Sequence, residues 1–187
     1  KYYTYQKYPE NDKVHFLYLG RIMKEKGMDE LFYAAKELQR KEVPFVLDLV
    51  GFFEDEYKEK IDKLVDAKIA VFHGFQEDPR PYYAMADCVV LPSYHEGMSN
   101  VLLEAAATGR PVITSNIPGC KEAVDDGKSG LLCEAEDWND LYRKMSKIAQ
   151  MSRIEREAMG VCGRDKMAQE FDKDKVVKKT IQGIERV

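Results

Sequence analysis

From residue 14 onward the chain alternates between two kinds of segment. Short apolar runs, most closed by glycine or proline, are followed by longer stretches whose apolar residues recur every three or four positions. A short apolar run between turn residues reads as a strand buried on both faces, and the longer period reads as an amphipathic helix. Strands are expected over 14–19, 45–50, 69–72, 88–91 and 111–114, with a shorter one over 130–132. Helices are expected over 28–41, 54–66, 99–108 and 138–150, with a helical turn over 82–86. Strands alternating with helices pair in parallel through right-handed crossovers. The expected fold is therefore α/β, a doubly wound, Rossmann-like parallel sheet flanked by helices.

Local signals support these elements. Met28, Leu31, Phe32, Ala35 and Leu38 share one helix face, and Asp29 and Glu30 fall in that helix's first turn, where acids favour the dipole. Gly109 followed by Pro111 ends the helix that starts after Ser99. Asp137 is placed as a cap, and Ser152 with Glu155 forms a capping box that opens another helix. Gly160 and Gly163 argue against that helix being unbroken. A last helix is expected over 174–185, with Val176, Val177, Ile181 and Ile184 as its stripe.

Length and composition bound the function. The 187 residues fit one domain over 14–187, with residues 1–13 read as a linker or strand leading from an amino-terminal domain. The sequence opens Lys1-Tyr2-Tyr3 without methionine, as a segment of a longer chain would. No apolar run approaches the ~20 residues needed to span a bilayer, and the start carries no signal-peptide pattern. A net charge of −4 argues against nucleic acid as the main partner. Cys88, Cys120, Cys133 and Cys162 show neither zinc-ligand spacing nor a disulfide framework. They read as reduced, mostly buried thiols, which fits the cytosol.

In a doubly wound sheet, ligands bind beyond the carboxyl ends of the strands. That rule selects the loops after Leu19, Val50, Phe72, Leu91 and Thr114. The loop after Leu91 is the most informative. It runs from Pro92 through Glu96 and Gly97 to Ser99, and the helix that follows carries Glu104 among Val101, Leu102, Leu103 and Ala105–Ala107. A lone carboxylate on so apolar a helix needs a partner or a ligand. Between the two acids lie the free N–H groups of a helix start, which favour anions. The order acceptor, anion hole, acceptor matches the sugar hydroxyls, diphosphate and ribose diol of a nucleotide sugar.

The loop after Leu19 supplies cations: Gly20 and Arg21 at its start, Lys26 and Gly27 at its end. The Arg21 fork suits phosphate oxygens, and Lys26 adds a point charge; a solvated surface loop would carry the same residue types. The turn Ser115–Gly119 with Glu122 reads either as a rim loop beside this site or as ordinary turn chemistry.

These segments together resemble the carboxyl-terminal, donor-binding domain of a GT-B glycosyltransferase of the family 4 type. The resemblance is carried by Gly20-Arg21 with Lys26-Gly27, Tyr82–Asp87, Val90–Ser93, Glu96-Gly97 with Glu104-Ala105, Gly109–Ile113, Pro118-Gly119 with Glu122, and Asp126–Leu132. It implies that Arg21 and Lys26 hold the diphosphate and stabilise the leaving nucleotide. It implies help from backbone N–H groups around Gly97, Met98 and Ser99, with Gly20 and Asn100 at the same site. It gives Glu96 the donor-sugar hydroxyls, Glu104 the ribose diol, and the Gly74-Phe75-Gln76 loop the base. It implies a retaining reaction without metal or cofactor, with Glu96, Arg21 and Lys26 as the catalytic group. The donor is a nucleotide diphosphate sugar, UDP favoured over GDP. The acceptor is a glycan or lipid-linked chain in cell-surface polysaccharide synthesis, bound by an amino-terminal domain of the same polypeptide. Without that domain the chain is expected to be inactive.

Two further readings stay open: a sugar-nucleotide epimerase-like enzyme, and a non-catalytic nucleotide-sugar-binding scaffold. His15 reads as structural, and His95, beside Glu96, as either a packed residue or a sugar contact. Lys173, Lys175, Lys178 and Lys179 read as a solvated face, with weak attraction to the inner face of an anionic membrane as the sharper alternative.

Overall fold

The computed structural model describes residues 3–172. Six parallel strands form one sheet: β1 (Val14–Leu19), β2 (Phe45–Val50), β3 (Ala70–Gly74), β4 (Cys88–Leu91), β5 (Val112–Ser115) and β6 (Gly130–Cys133), in the order β3-β2-β1-β4-β5-β6. This is the doubly wound order, as expected. The strand order reverses between β1 and β4, which pair directly through Phe16 with Cys88 and Leu17 with Val89. The loops leaving these two strands therefore flank the crevice where such sheets take ligands.

The helices are α1 (Met28–Arg40), α2 (Lys58–Asp66), α3 (Arg80–Met85), α4 (Asn100–Thr108), α5 (Trp138–Gln150) and α6 (Arg153–Glu170). α1 packs on α5 and α4 on α6, and right-handed crossovers put these pairs on opposite faces of the sheet. The core between them includes Phe16, Tyr18, Leu31, Leu38, Leu47, Leu49, Val89, Leu102, Ile113 and Ile148, all close to fully buried. The Asp137 carboxylate caps α5 by accepting the Asn139 and Asp140 N–H groups, and the capping box at Ser152 and Glu155 is formed.

One expectation fails. α6 continues unbroken through Gly160 and Gly163. A side chain at 160 would begin 2.1 Å from the Gly109 carbonyl oxygen, so glycine there admits the chain crossing beneath the helix. The glycine marks close packing, and the propensity cost is overridden. The structure also contains short 3-10 turns at Lys24–Lys26, Asp55–Tyr57 and Lys121–Ala123, which the periodicity did not reveal. The expected helix over 174–185 and the lysines at 173, 175, 178 and 179 lie outside the described residues.

The first segment is held against the domain by three arginines, of which Arg164 donates to the Tyr3 carbonyl. Arg110 is fully buried and gives its guanidinium to the carbonyls of Gln6, Lys7, Tyr83, Ala84 and Gly109. Arg153 holds the carbonyls of Tyr8 and Pro9. Tyr8 itself is core: its ring lies under Arg110, and its hydroxyl donates to the Asp87 carbonyl. His15 bonds Asp48, consistent with a structural role. Cys88, Cys120 and Cys133 are free and buried, and Cys162 is free and exposed.

Candidate donor site

A cleft opens at the switch point. One lobe, about 290 Å³, is lined by Leu19, Gly20, Arg21 and Lys26 from the loop after β1, and by Leu91, Glu96, Met98, Ser99, Asn100 and Val101 from the loop after β4 and the start of α4. A second lobe, about 240 Å³, shares Leu19, Gly20 and Arg21 and continues to Val50, Gly51, Phe52, Phe75 and Gln76. The first lobe is polar and cationic. The second is mainly apolar, with the exposed rings of Phe52 and Phe75 6.5 Å apart at its rim.

Backbone bonds beyond the strands set this shape. Gly20 N–H donates to the Val50 carbonyl, Ile22 N–H to Phe52 and Gly51 N–H to Gly74. The loops after β1, β2 and β3 are thus stitched side by side, which brings Phe52 and Phe75 next to Arg21. The buried Tyr18 hydroxyl donates to the Arg21 carbonyl and fixes the backbone there. The Arg21 side chain is exposed, and its guanidinium has no partner among the described residues. It is the uncommitted cation of the cleft.

Lys26 closes the 3-10 turn and reaches across to Glu96. Its Nζ lies 2.7 Å from Glu96 Oε1, which also accepts the Ser93 hydroxyl at 2.9 Å. Among the described residues nothing bonds Glu96 Oε2, so this half-buried carboxylate keeps an acceptor for a ligand. Burial of Cys120, in the field of Glu96, pushes its thiol up to about 11, so it stays protonated near neutral pH.

α4 begins at Ser99 with no side-chain cap. Its first-turn N–H groups carry the positive end of the helix dipole toward the cleft. One expected donor is spent elsewhere: Ser99 N–H donates to the Gly119 carbonyl at 3.1 Å. The donors at the helix start are therefore those of Asn100 and the residues after it. Gly97 and Met98 are exposed at the rim, and the His95 beside them is exposed as well.

Gly119 locks this loop from the far side. Its φ is +86°, and a Cβ would stand 2.1 Å from the Gly97 oxygen and 2.4 Å from that of Glu96. Its N–H donates to Glu122, so the 115–122 turn is a brace for the site.

Glu104 does not line the cleft. It lies one helical turn behind Asn100 and Val101, on the same side of α4. It is half-buried and accepts the Tyr83 hydroxyl at 3.0 Å, which answers the partner the sequence demanded. Burial, with the Glu104 charge behind it, pushes Tyr3 up to about 12. Sequence reasoning missed Phe52, Tyr18 and Ser93. Only Phe52 had a signal, a large aromatic beside the glycine that ends a strand.

A parallel 3-2-1-4-5-6 sheet with a cation-lined cleft at its switch point defines a doubly wound α/β domain of the nucleotide-binding, Rossmann-like type. The model of group 1 glycosyl transferases matches residues 13–151, and the chain belongs to that family. It is 31% identical over 166 residues to the capsular polysaccharide biosynthesis glycosyltransferase CapM of Staphylococcus aureus, covering 86% of this chain and 43% of the relative. It is 32% identical over 144 residues to D-inositol 3-phosphate glycosyltransferase of Arthrobacter sp. (strain FB24), covering 71% and 34%. The chain thus spans less than half the length of either relative. S. aureus TarM superposes with a TM-score of 0.84 at 19% identity, over 97% of this chain and 37% of TarM. The carboxyl-terminal domain of the group 1 protein LpcC of Francisella tularensis gives 0.74 at 22%, over 91% and 89%. At these identities the two structures speak for the fold, and LpcC matches it as a carboxyl-terminal domain.

Proposed function

We propose that this chain is the donor half of a retaining glycosyltransferase that moves a sugar from a nucleotide diphosphate sugar to a glycan or lipid-linked acceptor. The observation that carries the reading is that Arg21, whose guanidinium has no partner among the described residues, and the uncapped start of α4 line one cleft, with Glu96 at its wall. Diphosphate placed there meets Arg21, Lys26 and helix N–H groups, which stabilise the charge that grows on the leaving nucleotide. This positive charge comes from the chain itself, so the reading asks for no metal or cofactor. Glu96 Oε2 accepts donor-sugar hydroxyls, and Glu104 serves the ribose diol from the next turn of α4.

The base occupies the apolar lobe against Phe52 and Phe75. No carboxylate lines that lobe. Guanine presents adjacent N–H donors that a carboxylate would satisfy, and uracil does not, so UDP is favoured over GDP. The acceptor is held by a second, amino-terminal domain, and the chain alone does not turn over. Similarity to CapM supports a role in cell-surface polysaccharide synthesis, at work in the cytoplasm along the membrane's inner face. Among the described residues no helix is long and apolar enough to cross a membrane.

Calorimetry of this chain with UDP, GDP and ADP tests the reading. UDP binding tightest of the three supports it; no heat from any of them at millimolar concentration contradicts it.

A further inference from the structure

Besides the Lys26–Glu96 pair, the two loops that bear the site's charges are tied together by a residue that has no place in the chemistry. Tyr94, two residues before Glu96, makes two bonds to the opposite loop. Its N–H donates to the Glu25 carbonyl at 2.9 Å, next to Lys26. Its hydroxyl donates to Glu30 Oε2 at 2.6 Å, in the first turn of α1. Between these two ties lies Gly27, at a φ of +69°, where a Cβ would stand 2.0 Å from the Pro92 carbonyl oxygen. The Lys24–Gly27 turn, itself closed by Gly27 N–H on the Lys24 carbonyl, is thus clasped from Pro92 to Glu96. Lys26 is a flexible side chain on a short turn, and where it can reach depends on where that turn is held. Burial and the Glu30 charge raise the Tyr94 hydroxyl well above its ordinary value, so it stays a donor at any working pH.

We propose that Tyr94, through Glu30, is a positioning residue that holds the Lys26 turn against the Glu96 loop and so pre-organises the cation for the donor diphosphate. This rests on the donor-site reading above. Without the hydroxyl's bond the turn keeps the Tyr94 N–H bond and the Lys26–Glu96 pair but is held less firmly, and the ordering left to the ligand is subtracted from affinity.

The test joins a measurement that needs no nucleotide to one that does. Amide exchange at Lys26 and Gly27 is followed in the unliganded chain, and UDP is titrated calorimetrically. For Tyr94→Phe the expected results are exchange about tenfold faster at these two amides and UDP binding about tenfold weaker, the size of one charged hydrogen bond. Glu30→Ala should reproduce both losses, and the double variant should be no weaker than either single one. Glu30→Gln keeps an acceptor and should restore UDP affinity to within about threefold of the native chain. A merely structural tyrosine would lower thermal stability without this pattern. Unchanged exchange in Tyr94→Phe, unchanged UDP affinity, or additive losses in the double variant would each overturn the proposal. Failure of the native chain to bind UDP would overturn the donor-site reading itself, a distinct result, because the exchange data are read without nucleotide.

Discussion

Lys26 and Glu96, seventy residues apart in sequence, meet at 2.7 Å across the mouth of the cleft. Each comes from a loop at the carboxyl end of one of the two strands that flank the switch point. The pair neutralises two charges that would otherwise face each other part-buried, yet it commits only one oxygen of Glu96.

The two partners should separate functionally. Lys26→Ala is expected to weaken UDP binding by about tenfold, roughly 1.4 kcal/mol, because a charged contact to phosphate is lost. Glu96→Gln should leave UDP affinity within about threefold and lower affinity for a UDP-sugar by about tenfold, because only the sugar needs the acceptor. Parallel titrations with UDP and UDP-glucose read the difference.

Glu104→Ala removes the acceptor of the buried Tyr83 hydroxyl. The hydroxyl is left with only its long 3.4 Å bond to the Val101 carbonyl, and losing a hydrogen bond to a charged group costs about 1.5–3 kcal/mol, so the urea midpoint should fall. Glu104→Gln keeps that bond, and its midpoint should stay close to native. It should still bind UDP several-fold more weakly while binding a 2′,3′-dideoxy analogue as the native chain does.

Gly119→Ala should be costly for two reasons that add. A left-handed backbone at a non-glycine residue costs about 1–3 kcal/mol, and the new methyl meets the oxygens of Glu96 and Gly97. A loss of at least about 2 kcal/mol is expected, lowering the melting temperature by roughly 4–8 °C for a domain of this size. UDP-sugar affinity should fall with it, because the displaced loop carries Glu96.

Asp48 is buried in β2 between His15 of β1, at 2.8 Å, and His73 of β3, at 2.7 Å. The bond to Asp48, with the charges of Asp48 and Asp87 behind it, raises His15 above its ordinary 6.5 against burial, which lowers it, and a lesser repulsion from Lys13. A raised folded value means that protonated His15 stabilises the fold. That contribution is complete below pH 6.5 and is lost as pH rises through the folded value. The melting temperature should therefore drop as the pH rises above 6.5, and Asp48→Asn should flatten the drop.

Much of the fold was legible because strands buried on both faces read as apolar runs, as in 14–19 and 45–50. The edge strand β3 was less clear, since Val71 and His73 are only partly covered. The continuity of α6 was hidden because the reason for Gly160 is a carbonyl fifty residues away at Gly109. At the site, strand ends and charge pointed to Arg21, Lys26 and Glu96, and the family resemblance supplied the roles expected of them. The brace at Gly119, the loss of the Ser99 donor and the clasp by Tyr94 depend on contacts between separate loops, which no local pattern encodes. Phe52 reaches the cleft only because Ile22 and Phe53 extend the pairing of β1 and β2 past their ends.

The most direct test of the central claim is a crystal structure of the chain grown with UDP. The account predicts the diphosphate between the Arg21 guanidinium, Lys26 Nζ and the first N–H groups of α4, with the uracil against Phe52 and Phe75. A nucleotide bound elsewhere, for example in the groove of Ile61, Val65 and Val71 beside β3, with the switch-point cleft empty, would contradict it.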